Sequence, residues 1–506
     1  MALFIWVSSL LTAIWNNLTL LGFSLIFFVF FFDFMKRRRS WNHPPGPISL
    51  PFIGTMLHID FNNPHRSFTQ LSKKYGNIYS LQNCWSNVVV LNGFKLIKEA
   101  LVDKSEDFSD RPHFPVYKWL GCGENNQGLI MAKYSHEWKE QRRFTLSILR
   151  DFGMGKTSLE HLVIEEVGHL CSAFSSEEGH PFDPQRYINN AVSNVICSLT
   201  FGNRFDYKDE KFEKLLLLLG DGLKEEAGFL PQFLHEVPFL LYIPGIVEKA
   251  FQHQKALYAY IHELVKMHKE TLDPSCRRDI TDAFLEEMEK RKDDVNSSFN
   301  AQNLSFVIAD LFSAGTETTT TTLRWGLLYM ILHPSVQTKV QEEIDEVIGK
   351  NRSPKMEDQA NMHYTRAVIH EIQRFGDVVP AGVPHMTFRD TELAGFFIPK
   401  GTTVITNLSS VLKDEAMWEN PHQFYPEHFL DKNGQFVKRE AFLPFSAGRR
   451  ACAGEQLARM ELFLFFTSLL QHFTFHMPKN QPRPREDGCY TFTLIPHPYQ
   501  IQVVSR

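Results

Sequence analysis

Residues 442–455, with the sequence FLPFSAGRRACAGE, decide the fold class and the chemistry expected of this chain. They place Cys452 between Gly448 and Gly454, directly after two arginines and before a helix-forming run. The N-terminal end of a helix and nearby guanidinium groups favour the thiolate form of a cysteine. The two glycines allow the backbone to turn tightly and to approach a flat ligand closely. The stretch therefore predicts a thiolate ligand to iron, and the alternative is a buried, inert cysteine.

The bulk composition fits a large globular protein and argues against a nucleic-acid binder. The 506 residues are 22% charged and 43% hydrophobic, and they carry a net charge of -5. A nucleic-acid-binding protein normally has a basic surface, so no nucleic-acid partner is expected. Seven cysteines are dispersed without the paired spacing typical of zinc sites. This usage indicates reduced thiols in a protein that faces the cytosol.

The N-terminal stretch predicts a membrane anchor. Residues 1–34 have Asp33 as their one charged side chain, and residues 18–32 are almost continuously apolar. A cleaved signal peptide and a buried core helix are the alternatives. The basic run KRRR at 36–39 follows directly, which places the remainder of the chain in the cytosol. We expect a transmembrane anchor in contact with membrane lipid over 1–35, a basic and proline-rich linker over 36–52, and one catalytic domain over 53–506.

The rest of the chain predicts a mainly α fold with small β-sheets. β-like runs occur at 78–81, 88–91, 393–405 and 490–504, between segments with helical periodicity. The longest helix is expected over 303–332, where Pro334 prevents its continuation.

The spacing Phe445-x-x-Gly448-x-Arg450-x-Cys452-x-Gly454 resembles the haem-binding loop of the cytochromes P-450. The resemblance implies the cytochrome P-450 fold and a haem whose axial thiolate is Cys452, and such a thiolate favours O–O cleavage. It implies a monooxygenase in the endoplasmic reticulum membrane. No nicotinamide or flavin motif is evident, so electrons are expected from NADPH-cytochrome P-450 reductase, with cytochrome b5 as a further partner. The expected docking face is basic: Arg142, Arg143, Lys438, Arg439, Arg449 and Arg450.

Glu371 and Arg374 stand three residues apart on one side of a helix. Taken alone they are an ordinary surface ion pair. The resemblance instead implies a buried pair that locks the haem-binding core, completed by a P-E-R-F element. That element reads PEHF in this chain, so His428 replaces an arginine and a weaker or pH-sensitive link to Glu371 is expected.

Within the long helix, the run Ala314-Gly315-Thr316-Glu317-Thr318 contains poor helix formers. The Thr318 hydroxyl is expected to bond to the Ala314 carbonyl and to open a local groove, and simple helical irregularity is the alternative. The resemblance assigns the groove to dioxygen, with Thr318 as hydrogen-bond donor and Glu317 in the proton route.

Haem carries two propionates, and a buried dianion must be paired. Trp138 and Arg142 share one helical face, although a surface helix would show the same pattern. The resemblance implies that propionate partners come from separate segments of the chain: Arg111, Trp138, Arg142, His385 and Arg450. It also places Ala314 and Phe445 against the cofactor.

The expected substrate is a lipophilic small molecule, and three segments resemble the D subfamily of cytochrome P-450 family 2: residues 223–230, 309–315 and 404–408. That subfamily is known for basic amines, which meet a glutamate and an aspartate that match Glu226 and Asp310. The alternatives are a solvated helix-face charge for Glu226 and a loop-capping acid for Asp310. Further expected pocket residues are Ile130, Ser313, Val383 and Phe492, with Ile130 where the best-known member has phenylalanine.

The sequence also allows three other activities. The first is oxidation of endogenous fatty acids or steroids, and the second is a haem-thiolate isomerase or dehydratase. The third is a non-catalytic haem sensor or carrier, which would not need Thr318 and Glu317 together.

Overall fold

The structure, a computed structural model, describes residues 2–36, 42–121, 128–153, 157–243, 245, 247–294 and 297–506. The α-helices of this part of the chain are α1 Ala2–Lys36, α2 Pro64–Tyr75, α3 Phe94–Lys98, α4 Pro115–Trp119, α5 His136–Asp151, α6 Thr157–Ser175, α7 Gln185–Phe201, α8 Glu210–Glu225, α9 Phe229–Glu236, α10 Val247–Ala250, α11 Gln252–Glu270, α12 Ile280–Lys290, α13 Ala301–Leu332, α14 Pro334–Val347, α15 His363–Gly376, α16 Ser409–Leu412 and α17 Glu455–His472. A π-helical segment, Glu99–Asp103, continues α3.

The strands are β1 Ile78–Asn83, β2 Ser86–Leu91, β3 His385–Met386, β4 Thr391–Leu393, β5 Phe396–Ile398, β6 Thr403–Thr406, β7 Phe473–His476, β8 Gly488–Tyr490, β9 Leu494–Pro496 and β10 Gln502–Ser505. The largest sheet has the order β1-β2-β6-β3, in which β2 and β6 are parallel and the other pairs are antiparallel. β4 with β5, β7 with β10, and β8 with β9 form antiparallel pairs. The mainly α fold with small sheets is therefore confirmed.

Helix α13 is the centre of the core and packs against α7, α11, α15 and α17. It starts where the Asn300 side chain accepts a hydrogen bond from the Asn303 amide, an N-cap that satisfies a free helix donor. Close approach to α7 occurs at Gly315, because a Cβ there would lie 2.5 Å from Cδ1 of Ile196. The helix runs without interruption from Ala301 to Leu332, and the expected opening of its backbone near Thr318 stays a prediction.

Helix α1 is one continuous element of 35 residues, about 52 Å long at 1.5 Å per residue. Among the described residues, only the segment Asn17–Met35 is long and apolar enough to cross a membrane, with a mean hydropathy of 2.2. Its side chains are almost all exposed, as an anchor requires. Asp33 is the exception: it is buried and accepts hydrogen bonds from the Phe52 amide and the Trp85 indole, both at 3.1 Å. Residues 37–39 of the basic run lie outside the described residues.

The proline-rich segment lies against the body of the protein from residue 42 onward. The Pro45 carbonyl accepts a hydrogen bond from the Ser80 amide at 2.7 Å, and the Ser80 hydroxyl donates to the Pro44 carbonyl at 2.8 Å. A Cβ on Gly46 would lie 2.0 Å from the Ser80 carbonyl oxygen, so only glycine permits this contact. The segment is therefore packed on β1, although its prolines prevent regular strand pairing.

Candidate active site

A cavity of about 380 Å³ lies beside α13 and the loop that carries Cys452. This volume is within the range of small-molecule sites, roughly 300–1,000 Å³. Many predicted site residues line it: Arg111, Ile130, Arg142, Glu226, Asp310, Ser313, Ala314, Glu317, Thr318, Val383, His385, Phe445, Arg450, Cys452 and Phe492. Residues separated by up to 381 positions, from Arg111 to Phe492, are thus brought to one space.

The Cys452 loop is held by backbone contacts. Its amide donates to the Phe445 carbonyl at 3.0 Å, after a short 3-10 turn at Gly448–Arg450. Gly448 has a φ of +75°, and a Cβ on it would lie 1.7 Å from the Leu101 carbonyl oxygen. Glycine is therefore obligatory at this position. Gly454 differs from the expectation, because its φ is -93° and a Cβ would make an ordinary 3.9 Å contact with the Cys452 sulfur.

The thiol of Cys452 is accessible because it faces the cavity. Burial in the protein raises its pKa, against the opposing effects of the Gly454 amide and the Arg142 guanidinium. The two preceding arginines bond other groups: Arg450 donates to the carbonyls of Ser109, Leu129 and Ala132, and Arg449 donates to the Ser105 hydroxyl. Their effect on the ionisation of the Cys452 thiol stays a prediction.

Three arginines converge at the cavity, and each donates to backbone carbonyls. Arg111 donates to Ile130, Val383 and Pro384, Arg450 to the carbonyls named above, and Arg142 to Ala451. Burial, with repulsion from neighbouring arginines, lowers the pKa of Arg111 to about 9 and that of Arg450 to about 8. Such a cluster of cations fits an anionic ligand, because an added negative charge offsets both the burial of the guanidinium groups and their mutual repulsion.

His385 lies in the same cluster, where its Nδ1 donates to the Phe108 carbonyl at 2.8 Å. Burial and the Arg111 charge lower its pKa well below the ordinary value, so the ring is neutral and its Nε2 is an acceptor. It would donate to a carboxylate only after protonation, which a neighbouring anion favours.

Trp138 does not line the cavity. Its indole N–H donates to the Leu129 carbonyl at 3.1 Å, and its ring stacks on the Arg450 guanidinium at 3.8 Å. The ring thus packs on Arg450 and orients it, and the expected contact of Trp138 with a propionate stays a prediction.

Haem is a group with a metal, a flat apolar body and two carboxylates, and the residues present fit it. Cys452 is a soft sulfur ligand of the kind that iron accepts. The buried arginines offer partners for two anions, and apolar side chains such as Leu457 and Val379 form much of the remaining wall.

Thr318 and Glu317 hold distinct partners on α13. The Thr318 hydroxyl donates to the Ala314 carbonyl at 2.8 Å, as predicted, and its lone pairs remain to accept. The Glu317 carboxylate accepts from the hydroxyls of Thr493 at 3.0 Å and Thr321 at 3.4 Å. Burial raises the pKa of Glu317, and these hydroxyls lower it.

Glu226 and Asp310 both open on the cavity. Glu226 accepts hydrogen bonds from Tyr117, at 3.0 Å, and from Gln254, so it is not a solvated helix-face charge. Burial raises its pKa, and the Asp310 charge adds to the effect. Asp310 is both a loop-capping acid and a cavity residue. One of its oxygens accepts hydrogen bonds from the amides of Leu129 and Ile130, at 2.6 and 2.9 Å, and the carboxyl group also lines the cavity.

The loop that Asp310 caps depends on a glycine. Gly128 has a φ of +92°, and a Cβ on it would lie 2.5 Å from an oxygen of Asp310. Burial raises the pKa of Asp310 to about 6, against the two amide hydrogen bonds.

The Glu371–Arg374 pair is fully buried, and the surface alternative is wrong. Arg374 donates through Nε and a terminal nitrogen to the two Glu371 oxygens, at 2.7 Å each. His428 also joins this pair: the Asn420 amide donates to its Nε2 at 3.1 Å, so Nδ1 carries the proton and donates to Glu371 at 3.2 Å. The third partner is thus a neutral hydrogen-bond donor rather than a cation.

Sequence reasoning missed three groups: Tyr117, Gln254 and Glu461. The first two hold Glu226, and no local pattern reveals a contact across 109 and 28 residues. Glu461 is buried on α17, lines the cavity and has two oxygens without a partner in the described chain. Burial raises its pKa to about 8, against the neighbouring Thr319 hydroxyl. A lone carboxylate among Met460, Leu462 and Phe463 is the signal that could have identified it.

A cysteine loop, a cluster of buried cations and a hydroxyl-bearing helix around one cavity define a haem-thiolate oxygenase. Residues 44–503 match the family model described as Cytochrome P450, and the chain belongs to that family. Proteins of this family bind haem through a cysteine thiolate and are monooxygenases, so the sensor, carrier and isomerase alternatives are not favoured.

The similar proteins place the chain in family 2, D subfamily. It is 57% identical to cytochrome P450 2D6 of Homo sapiens over 482 residues, 95% of this chain and 97% of that protein. It is 56% identical to cytochrome P450 2D14 of Bos taurus over 489 residues, 96% and 98% of the two chains. A third relative, vitamin D(3) 25-hydroxylase of Sus scrofa, is 54% identical over 492 residues, 97% and 98% of the two chains. The chain is therefore a monooxygenase that acts on small lipophilic molecules, and α1 fits the anchor of a membrane protein.

Proposed function

We propose that this monooxygenase favours lipophilic substrates with a basic amine, whose ammonium group is received by Glu226 and Asp310. The observation that carries the proposal is the presence of two carboxyl groups that face one cavity whose wall is otherwise mainly apolar. Desolvation raises the pKa of both groups, and the Asp310 charge raises that of Glu226 further. A bound ammonium group offsets these effects, because an opposite charge favours the ionised form of a carboxyl group.

In this proposal Cys452 would be the thiolate ligand to the haem iron, and Arg111, Arg142 and Arg450 would hold the two propionates. The haem supplies the oxidising chemistry once dioxygen and electrons are provided. The protein supplies placement: α13 rises about 12 Å along its axis from Asp310 to Thr318, at 1.5 Å per residue. An amine held at Asp310 would therefore keep the rest of a drug-sized substrate alongside the Ala314 and Thr318 face.

Proton handling falls to Thr318 and Glu317. The Thr318 hydroxyl has its hydrogen on the Ala314 carbonyl and its lone pairs free to accept from water in the cavity. Glu317 reaches the same cavity, and burial raises its pKa, which favours a carboxyl group that can take up a proton as well as release one. Thr493 holds that carboxyl group in position at 3.0 Å.

A sterol-like or fatty substrate is the second candidate. Leu219, Leu257 and Phe306 give the cavity long apolar walls that accept such a molecule without a cation. The porcine relative is named vitamin D(3) 25-hydroxylase, which acts on a substrate of this kind.

We infer that the electrons come from NADPH-cytochrome P-450 reductase, with cytochrome b5 as a second partner, at the endoplasmic reticulum membrane. Four of the residues proposed for the basic docking face are exposed: Arg143, Lys438, Arg439 and Arg449. Arg450 is buried and Arg142 faces the cavity, so these two do not belong to the docking face.

The test is a spectral binding titration of the reconstituted haem protein with an aryl-alkyl amine and with its neutral carbon isostere. Asp310→Asn can keep both loop bonds, because the Leu129 and Ile130 amides donate to the same aspartate oxygen. We expect Asp310→Asn and Glu226→Gln each to weaken amine binding about 10-fold to 100-fold, the equivalent of 1.4–2.8 kcal/mol for a charge-assisted contact. Binding of the isostere should stay within about threefold.

Glu213→Gln is the matched control. Glu213 lies on α8, the helix that ends just before Glu226, but its side chain is half exposed and pairs with Arg186. Equal losses for the amine and its isostere would contradict the amine proposal. Tighter binding of a sterol than of the amine by the unaltered protein would favour the second candidate.

A further inference from the structure

The β8–β9 hairpin places a thiol, an imidazole and a carboxylate on one face. Cys489 is paired with Ile495, and Asp487 and His497 each lie one residue beyond the end of β8 and β9, on the same side of the hairpin as Cys489. The Cys489 sulfur lies 3.2 Å from Nδ1 and 3.7 Å from Nε2 of His497, and that Nε2 lies 3.7 Å from an Asp487 oxygen. None of these three side chains lines the described cavity.

The carboxylate of this group is held firmly. Arg485 donates two hydrogen bonds to Asp487, at 2.8 and 2.6 Å, and Arg66 lies 3.6 Å away. The Arg485 hydrogen bonds lower the pKa of Asp487 to about 2, so the group is ionised. An anion on the Nε2 side favours a proton on that nitrogen and leaves Nδ1 as the acceptor that faces the thiol.

Cys489 differs from Cys84, Cys171, Cys197 and Cys276 in combining partial exposure with an imidazole partner. Cys84, Cys171 and Cys197 are buried, and burial raises the pKa of Cys84 and of Cys171 to about 12. Cys276 is exposed, but the sulfur contacts of the described chain give it no imidazole partner. Cys489 is partly exposed beside His497, whose side chain is 25% exposed, so a small reagent in solvent can reach the pair.

We propose that Cys489 is a modification site whose sulfur adds to soft electrophiles of the α,β-unsaturated carbonyl class, with His497 as the base. Nδ1 of His497 takes the thiol proton, and the sulfur lone pair forms a bond to the β-carbon of the electrophile. The electrons of the carbon–carbon double bond move to the carbonyl as an enolate, which takes a proton back at its α-carbon. The addition has no leaving group and needs no oxidant or reductant.

The hairpin that would carry the adduct also forms part of the cavity wall. Phe492, at the turn with a φ of +86°, lines the cavity, and Thr493 holds Glu317. The modification is independent of which substrate the cavity takes, because the reacting groups lie outside it.

The test exposes the intact haem protein to acrylamide at neutral pH and follows each cysteine-containing peptide by mass spectrometry. Cys276 is an internal reference that is more exposed and lacks a base. We expect Cys489 to react more than three times as fast as Cys276, and a ratio of three or less would overturn the proposal. This measurement needs no substitution and so does not depend on a variant that folds.

His497→Gln then tests the base. The ratio should fall below three while the rate at Cys276 is unchanged and the haem absorption spectrum is retained. Asp487→Asn should give a smaller loss, because the imidazole remains but loses its anionic partner. A ratio that stays above three in His497→Gln would overturn the assignment of His497 as the base.

Discussion

Replacement of Arg374 by Met tests the structural core beneath the haem-binding loop. The side chain donates two hydrogen bonds to Glu371 and three more to the carbonyls of Leu412, Pro421 and Gln423, at 2.7 to 2.9 Å. Removal leaves the fully buried Glu371 carboxylate with the Tyr425 amide and His428 as its remaining partners in the described chain. Breaking a buried pair from one side costs about 3–5 kcal/mol, because a buried charge is left uncompensated.

The assay is urea unfolding of the haem protein, followed by far-ultraviolet circular dichroism and by the haem absorption band. Arg186→Met is the matched control, because it removes the same group from an exposed pair with Glu213 at 3.3 Å. An exposed pair of this kind contributes about 0–1 kcal/mol. A loss below about 1 kcal/mol for Arg374→Met, or one equal to that of the control, would refute the argument that burial makes this pair essential.

A double variant separates burial of a charge from loss of packing. Arg374→Met with Glu371→Leu removes both charges, so it should be more stable than Arg374→Met alone. A double variant less stable than the single one would show that the cost arises from packing and not from the uncompensated carboxylate.

Three further predictions concern the cavity. Thr318→Ala should consume NADPH with less product per electron pair, measured as the ratio of product to NADPH oxidised, and an unchanged ratio would count against its role with protons. Glu461→Gln should gain thermal stability relative to the parent as pH rises from 4.5 towards 8. Burial raises the pKa of Glu461 from 4.5 to about 8, so over this range the unfolded chain has released the proton that the folded protein still holds, and the stability of the parent falls. A constant difference across this range would oppose this prediction. Gly448→Ala should lower the fraction of protein that retains haem, because its Cβ would meet the Leu101 carbonyl at 1.7 Å in a positive-φ backbone; full haem content would contradict that geometry.

Features set by local patterns were predictable from the sequence. The Cys452 loop, helix α13 and the three-residue spacing of Glu371 and Arg374 each depend on residues close together in the chain, so periodicity and turn chemistry indicate them. The burial of Glu371 and Arg374 followed from the resemblance and not from their spacing, since the same spacing is common on surfaces.

Features set by tertiary contacts were not predictable in the same way. Trp138 donates to Leu129 instead of facing the cavity, and Arg450 turns to carbonyls on other segments, because each donor takes the acceptor that folding brings nearest. The Cys489–His497 pair joins residues eight apart, which no helical spacing indicates, and it follows only from the register of the hairpin.

The axial ligand is the central claim, and the spectrum of the reduced carbon-monoxide complex tests it most directly. Cys452→Ser should retain haem to some degree but lose the long-wavelength band typical of a thiolate ligand, while Cys276→Ser, at an exposed cysteine away from the cavity, should keep it. Persistence of that band in Cys452→Ser would contradict the assignment of Cys452 as the thiolate ligand.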